Sequence, residues 1–204
     1  MKRCIIVQGP AYSNSISQIR ECWKGYDVIY STWKGGEALY EENEIVIHSD
    51  LPHDSGIKNL NYQKVSTLAG LQLAKELGYE RALKWRSDMW TNNADGLISK
   101  FTDGYNTLSW IDSEGGYLTD FWMEDSVDNL MKIWDIEPYG AFPEKVITKR
   151  IEELGWMDRV NLLISDLTPE LDIFWHTRHG NGPYWMHVNN EHKIYKNNTT
   201  WKTK

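Results

Sequence analysis

Arg86 and Asp88 stand two residues apart where a short apolar run, residues 82–85, gives way to a polar loop. Such a run suits an inner strand, and a carboxylate just past its end can hold Mg²⁺ or Mn²⁺ where the ion bridges two phosphates. Arg86 falls on the same strand face as Asp88, so it either clamps a phosphate itself or pairs with its neighbour. An Asp directly after a Ser is also an ordinary turn signal. Three further runs end in comparable loops: residues 4–7 in Gln8-Gly9-Pro10, 27–30 in Ser31-Thr32-Trp33, and 44–47 in His48-Ser49-Asp50. If the strands are parallel, the four loops converge and offer backbone N–H groups, hydroxyls, an aromatic plane, a guanidinium and carboxylates. That set suits the base, ribose and diphosphate of a nucleotide. Neither G-x-G-x-x-G nor a P-loop is present, which disfavours a dinucleotide cofactor or ATP hydrolysis.

Acids recur later, at Asp112, Asp120, Glu124 and Asp125. A carboxylate within hydrogen-bond reach of a hydroxyl can take its proton as that oxygen attacks, and Asp120, Glu124 and Asp125 are the candidates for this role. Asp125 also fits the cap of a following helix. His176 and His179 form an H-x-x-H pair, but no third ligand at a telling spacing completes a zinc site. Trp175, Tyr184 and Trp185 could stack on a sugar, although core packing is the commoner use of such rings.

The elements that must position these residues are legible from periodicity. Val65, Leu68, Ala69, Leu71, Ala74 and Leu77 recur at helical spacing, and Gly78 closes that helix immediately before the strand leading to Arg86. Ser15 and Gln18 fit a capping box for an earlier helix carrying Ile16, Ile19 and Trp23. A β-α-β-α-β beginning of this kind predicts a parallel, doubly wound α/β sheet. Residues 105–111 and 117–122 read as strands, 127–134 as a helix, and a further helix starts with Pro143 in its first turn and ends before Gly155. Residues 157–175 fit helix and strand equally.

The 204 residues suit one domain with a sizeable core, and 41% hydrophobic with 25% charged residues is ordinary for a globular protein. A net charge of −7 argues against nucleic acid or an anionic membrane as partner. Cys4 and Cys22 make no disulfide framework, and neither a signal peptide nor a membrane span is visible, so a reducing, cytoplasmic setting is expected. Eleven Trp and eleven Tyr are unusual; they are read first as core. The polar, basic end leaves room for further domains after residue 204.

Four stretches together resemble, in order and spacing, the WavE-type lipopolysaccharide-synthesis family: Gln8-Gly9-Pro10, residues 31–35, residues 61–71 from Asn61-Tyr62-Gln63 through Ser66-Thr67 to Gly70-Leu71, and residues 84–88. The resemblance covers about residues 4 to 92 well and the remainder loosely. It implies a GT-A-like three-layer fold with a mixed, mostly parallel sheet, residues 1–92 binding a nucleotide-sugar and residues 93–204 shaping the acceptor site. It implies glycosyl transfer from a nucleotide-sugar to a glycan or glycolipid, and a UDP-sugar is the expected donor. Nucleotide-sugar contacts fall on Gln8, Gly9, Pro10, Ser31, Thr32, Trp33, Gln63, Thr67, Lys84, Arg86 and Ser87. Asp88 becomes the counterpart of the last acid of a D-x-D motif, holding Mn²⁺ or Mg²⁺, with His187 as a further ligand. Arg86 stands where the first acid of that motif would be. Two other classes compete: a non-catalytic nucleotide- or carbohydrate-binding module of a larger protein, and a metal-dependent phosphoesterase. The latter needs more clustered acids and histidines than these loops carry.

Overall fold

The computed structural model describes residues 2–10, 13–112, 115–137, 140–163, 173–176 and 183–185. Strands β1 (Arg3–Gln8), β2 (Val28–Trp33), β3 (Ile45–Ser49), β4 (Arg81–Arg86), β6 (Tyr105–Asp112), β7 (Gly115–Ser126) and β8 (Val160–Leu162) make one sheet, in the order β3-β2-β1-β4-β7-β6-β8. The pairs β3–β2, β2–β1, β1–β4 and β6–β8 are parallel, while both pairs made by β7 are antiparallel. Only β7 therefore runs against its six companions. Strand β5 (Met89–Thr91) pairs outside this sheet with β9 (Ile173–His176), which pairs in turn with β10 (Pro183–Trp185).

The central strands are continuous apolar runs because both faces are covered. One face carries Cys4, Ile6, Ala82 and Met123 against helices α2 (Leu60–Glu76), α4 (Val127–Trp134) and α5 (Pro143–Glu153). The other carries Ile5, Val7, Leu83 and Trp85 against α1 (Ser13–Cys22) and α3 (Ala94–Ile98). Trp23, Trp85, Trp122 and Trp134 are among the largest fully buried side chains, so these tryptophans serve the core. Trp23 meets Trp85 edge to face at 5.0 Å.

Helix α2 seats on the sheet through Gly70, where a Cβ would come 2.5 Å from Ile6 Cγ2. It ends as Gly78, at φ 75, returns its N–H to the Lys75 carbonyl. Pro143 opens α5, as expected. Three readings change. The link from β2 to β3, residues 34–44, contains one 3₁₀ turn at Glu37–Leu39 and no helix. α1 begins two residues before Ser15, which is buried inside its first turn instead of capping it. The ambiguous stretch resolves, where described, into a 3₁₀ turn at Met157–Arg159, then β8 and β9. Among the described residues no helix is long and apolar enough to cross a membrane.

Candidate functional site

Strands β1, β2 and β4 end at one edge of the sheet, and a cleft of about 810 Å³, open solvent included, lies beyond them. Its walls are Gln8, Gly9 and Pro10 after β1, Trp33 at the end of β2, Lys58, Asn59, Tyr62 and Gln63 at the start of α2, Leu51, and Arg86, Ser87 and Asp88. Ligands of open α/β sheets sit at this position because the strand ends part there. The loops must approach closely: Gly9, at φ 127, would place a Cβ 2.6 Å from Ser87 Oγ. Gln8 is buried and donates from Nε2 to Ser66 Oγ at 2.9 Å. Gln63 Oε1 is buried in the cleft wall without a hydrogen-bond partner. The Trp33 and Tyr62 rings meet at 5.6 Å and form an aromatic wall.

Arg86 links this cleft to a second group of charges. Its Nε lies 2.9 Å from Asp88 Oδ1 and its Nη2 2.6 Å from Asp88 Oδ2, a bidentate pair. Its Nη1 lies 3.7 Å from Asp120 Oδ2, and its guanidinium covers the Phe121 ring at 5.3 Å. Burial opposes the cation, yet Asp88 and Asp120 outweigh it and hold Arg86 firmly protonated. Lys84, two residues earlier on the same face, is fully buried; Nζ donates to the Asp120 backbone carbonyl and stands 5.3 Å over Trp134. Burial pushes its ammonium down to about 8, Asp120 acting in the opposite direction. Asp120 Oδ1 is buried with no donor, and the half-buried Glu144 carboxyl, in the first turn of α5, lies close enough to feel the Asp120 charge. Burial, then Asp120, push Glu144 up to about 7.

The register of β7 explains this gathering. Thr107 pairs with Met123 but Ser109 pairs with Leu118, so extra residues of β7 bulge out between them. The bulge breaks the alternation of side chains and turns Asp120 towards Arg86 and Lys84, although Trp122 packs on the opposite face.

The expected residues divide accordingly. Gln8, Gly9, Pro10, Trp33, Gln63, Arg86, Ser87 and Asp88 line the cleft, and Asp120 lies behind Arg86. Ser31, Thr32, Thr67 and Lys84 do not line it; they are buried within the layers, and Ser31 Oγ donates to the Ser66 carbonyl at 2.5 Å to seat α2. Glu124 and Asp125 lie at the far end of β7, beside the start of β4. Glu124 accepts from Arg81 Nε and Nη2 at 2.6 and 2.7 Å, from Asn106 at 2.6 Å and from Arg3 at 3.1 Å. Asp125 accepts from the Ser126 backbone N–H at 2.6 Å and faces Arg159 at 3.4 Å. Ser126, not Asp125, caps α4. His187 lies outside the described residues, as do His179 and the side chains of Asp112, Trp175, His176, Tyr184 and Trp185. The residues the sequence reading missed are Leu51, Lys58, Asn59 and Tyr62 of the cleft wall, and Glu144. Tyr62 lies within residues 61–71, one of the stretches that carry the resemblance; Glu144 carries no signal beyond that of an acid in a helical first turn.

No protein-family model matches the chain. No curated protein matches it either. Among solved structures it is similar to one from Desulfovibrio desulfuricans G20 described as a nucleotide-diphospho-sugar transferase, with a TM-score of 0.55 and 13% identity over 80% of each chain. It is also similar to a glycosyltransferase involved in the glycosylation of the major capsid of PBCV-1, with a TM-score of 0.52 and 16% identity over 88% of this chain and 94% of that one. The fold is GT-A-like.

Of the two donors expected for Mn²⁺ or Mg²⁺ in this GT-A-like chain, Asp88 is the one within the described residues, and its surroundings do not fit the ion. Both oxygens of Asp88 are engaged by a guanidinium that would repel it. Among the described residues no group of three His, Cys, Asp or Glu side chains is gathered to hold a metal. Carboxylates with open coordination positions are what a hard divalent cation requires.

Proposed function

We propose that this chain is a glycosyltransferase that uses a nucleotide-sugar, a UDP-sugar first among the donors, and a glycan or glycolipid acceptor. The observation that carries the reading is the cleft beyond β1, β2 and β4, walled by Trp33 and Tyr62 on one side and by Arg86, Ser87 and Asp88 on another. The aromatic wall suits a nucleobase, and the amide of Gln63 can read its polar edge. Arg86 suits the diphosphate, whose negative charge grows as it leaves. Asp120 stands behind Arg86 with an unpartnered oxygen, and in an inverting transfer it accepts the proton of the acceptor hydroxyl. The fold likeness to two sugar-transfer proteins supports the same reading. The resemblance of the four stretches to the WavE-type family points to a surface polysaccharide as the setting.

Calorimetric titration with UDP, GDP and CMP, followed by release of nucleotide from the matching sugar donor, tests this. Binding of one nucleotide, with turnover lost in Asp120→Asn at retained affinity, is expected. Nucleotide binding without any turnover on a panel of glycan acceptors would favour the binding-module alternative; no binding at all would end the nucleotide-sugar reading.

A further inference from the structure

We infer that Arg86 brings to the donor's diphosphate the positive charge that a divalent cation would otherwise supply, and that Asp88 positions this guanidinium instead of ligating metal. The inference rests on the glycosyltransferase reading above and names how its site meets phosphate.

The geometry of Arg86 is that of a held cation. Asp88 grips it through two parallel hydrogen bonds of 2.9 and 2.6 Å, which fix the plane of the fork. Asp120 Oδ2, at 3.7 Å, is beyond hydrogen-bond distance and adds attraction without a fixed bond. Phe121 covers one face of the plane at 5.3 Å. Held on these sides, Arg86 still lines the cleft. A planar guanidinium matches two phosphate oxygens as well as it matches a carboxylate, and holding it in advance lowers the ordering cost of binding.

The charge around Arg86 supports the same conclusion. A metal at Asp88 would have to displace the guanidinium from both carboxylate oxygens or sit against a like charge. The other positive contributions in the cleft also come from the protein. Lys58 lines it, and α2 begins beside it at Leu60, after the left-handed Asn59, with no side chain capping its first turn. The positive end of a 17-residue helix favours an anion there.

Titration calorimetry with UDP and GDP, each beside its monophosphate, in EDTA and in Mn²⁺, tests the inference. The diphosphate that binds should do so equally in both buffers. Arg86→Gln should weaken it by about tenfold or more while changing the monophosphate little, since a charge-assisted bidentate contact is lost. Arg86→Lys should restore part of the loss. Whatever Asp88→Asn does to affinity, it should do alike in EDTA and in Mn²⁺. The double variant Arg86→Gln/Asp88→Asn removes both charges together and stays readable if the single Arg86 variant does not fold; it should bind as weakly as Arg86→Gln. Binding that requires Mn²⁺ and disappears in Asp88→Asn would overturn the inference and leave the glycosyltransferase reading standing, as would a double variant that binds like wild type. Failure of every nucleotide in both buffers would overturn the two together.

Discussion

Glu144 in the first turn of α5 is half-buried close to Asp120 on β7, and burial, followed by the charge of Asp120, favours the protonated form of the Glu144 carboxyl. Glu144 is pushed up to about 7 by burial and by Asp120, from an ordinary value of 4.5. The folded chain therefore keeps a proton that the unfolded chain has released. The stability this proton contributes is complete below about pH 4.5 and is lost as pH rises through about 7. Glu144→Gln keeps a donor and removes the ionisation. Thermal melts from about pH 5 to 8 should show wild type losing about 2 kcal/mol against the variant, roughly 4–8 °C in Tm. Parallel curves for the two proteins would mean that folding does not hold a proton on Glu144.

Lys84 gives the opposite slope. Its ammonium is pushed down to about 8 chiefly by burial, so folding expels a proton that the unfolded chain holds up to its usual 10.5. Stability from this group is therefore gained as pH rises from about 8 towards 10.5. Lys84→Met lacks that gain. Urea unfolding should show the difference between wild type and variant moving in favour of wild type by about 2 kcal/mol between about pH 8 and pH 10. A constant difference would show that the amine is protonated alike in both states.

Glu124 serves the fold and lies away from the cleft. Its carboxylate is fully buried and answers Arg81, Arg3 and Asn106. Glu124→Ala takes from the buried Arg81 guanidinium its two-point carboxylate partner, leaving it Asp125 at 3.9 Å and the Gly104 carbonyl at 3.0 Å, and the loss should be about 3 kcal/mol in chemical denaturation. The nucleotide affinity of the folded fraction should stay at the wild-type level. A variant of normal stability that no longer turns over would instead place Glu124 in the chemistry.

Gly70 is the seat of α2. An added methyl would lie 2.5 Å from Ile6 Cγ2 and 3.1 Å from Ser31 Cβ, within a packed face. Gly70→Ala should cost about 1–3 kcal/mol despite its better helix propensity, and a lowered Tm would report it. An unchanged or higher Tm would show that α2 can lift without consequence.

How far the sequence spoke depended on whether a signal was local. The apolar run from Cys4 to Val7, the periodic face of α2 and the glycine after it each declare themselves within a dozen residues, and so the parallel half of the sheet and its converging loops were legible. The grouping of the acids was not. Asp120, Glu124 and Asp125 are close in sequence, but β7 runs antiparallel to β4. Its earlier residues therefore reach the cleft end while Glu124 and Asp125 pair beside Leu83 and Ala82. The turn of Asp120 towards Arg86 depends on the β7 bulge, and Glu144 joins through helix packing; both are tertiary facts with no periodic trace. Ser31 and Thr32 stand at the right strand end, but Ser31 is buried under α2 and Thr32, on the alternate face, is buried beside Tyr40, so neither lines the cleft.

Arg81 and Arg86 are the two ends of β4, about 16 Å apart at roughly 3.3 Å per residue. Salt screens buried charges little, but the Arg81 guanidinium and the Glu124 carboxylate neutralise each other and so project little net charge along that distance. A substitution that hardens the Arg81–Glu124 end against heat is thus electrically quiet at the Arg86 end. One strand can evolve, or be engineered, for endurance at its start and for ligand preference at its finish, each without retuning the other.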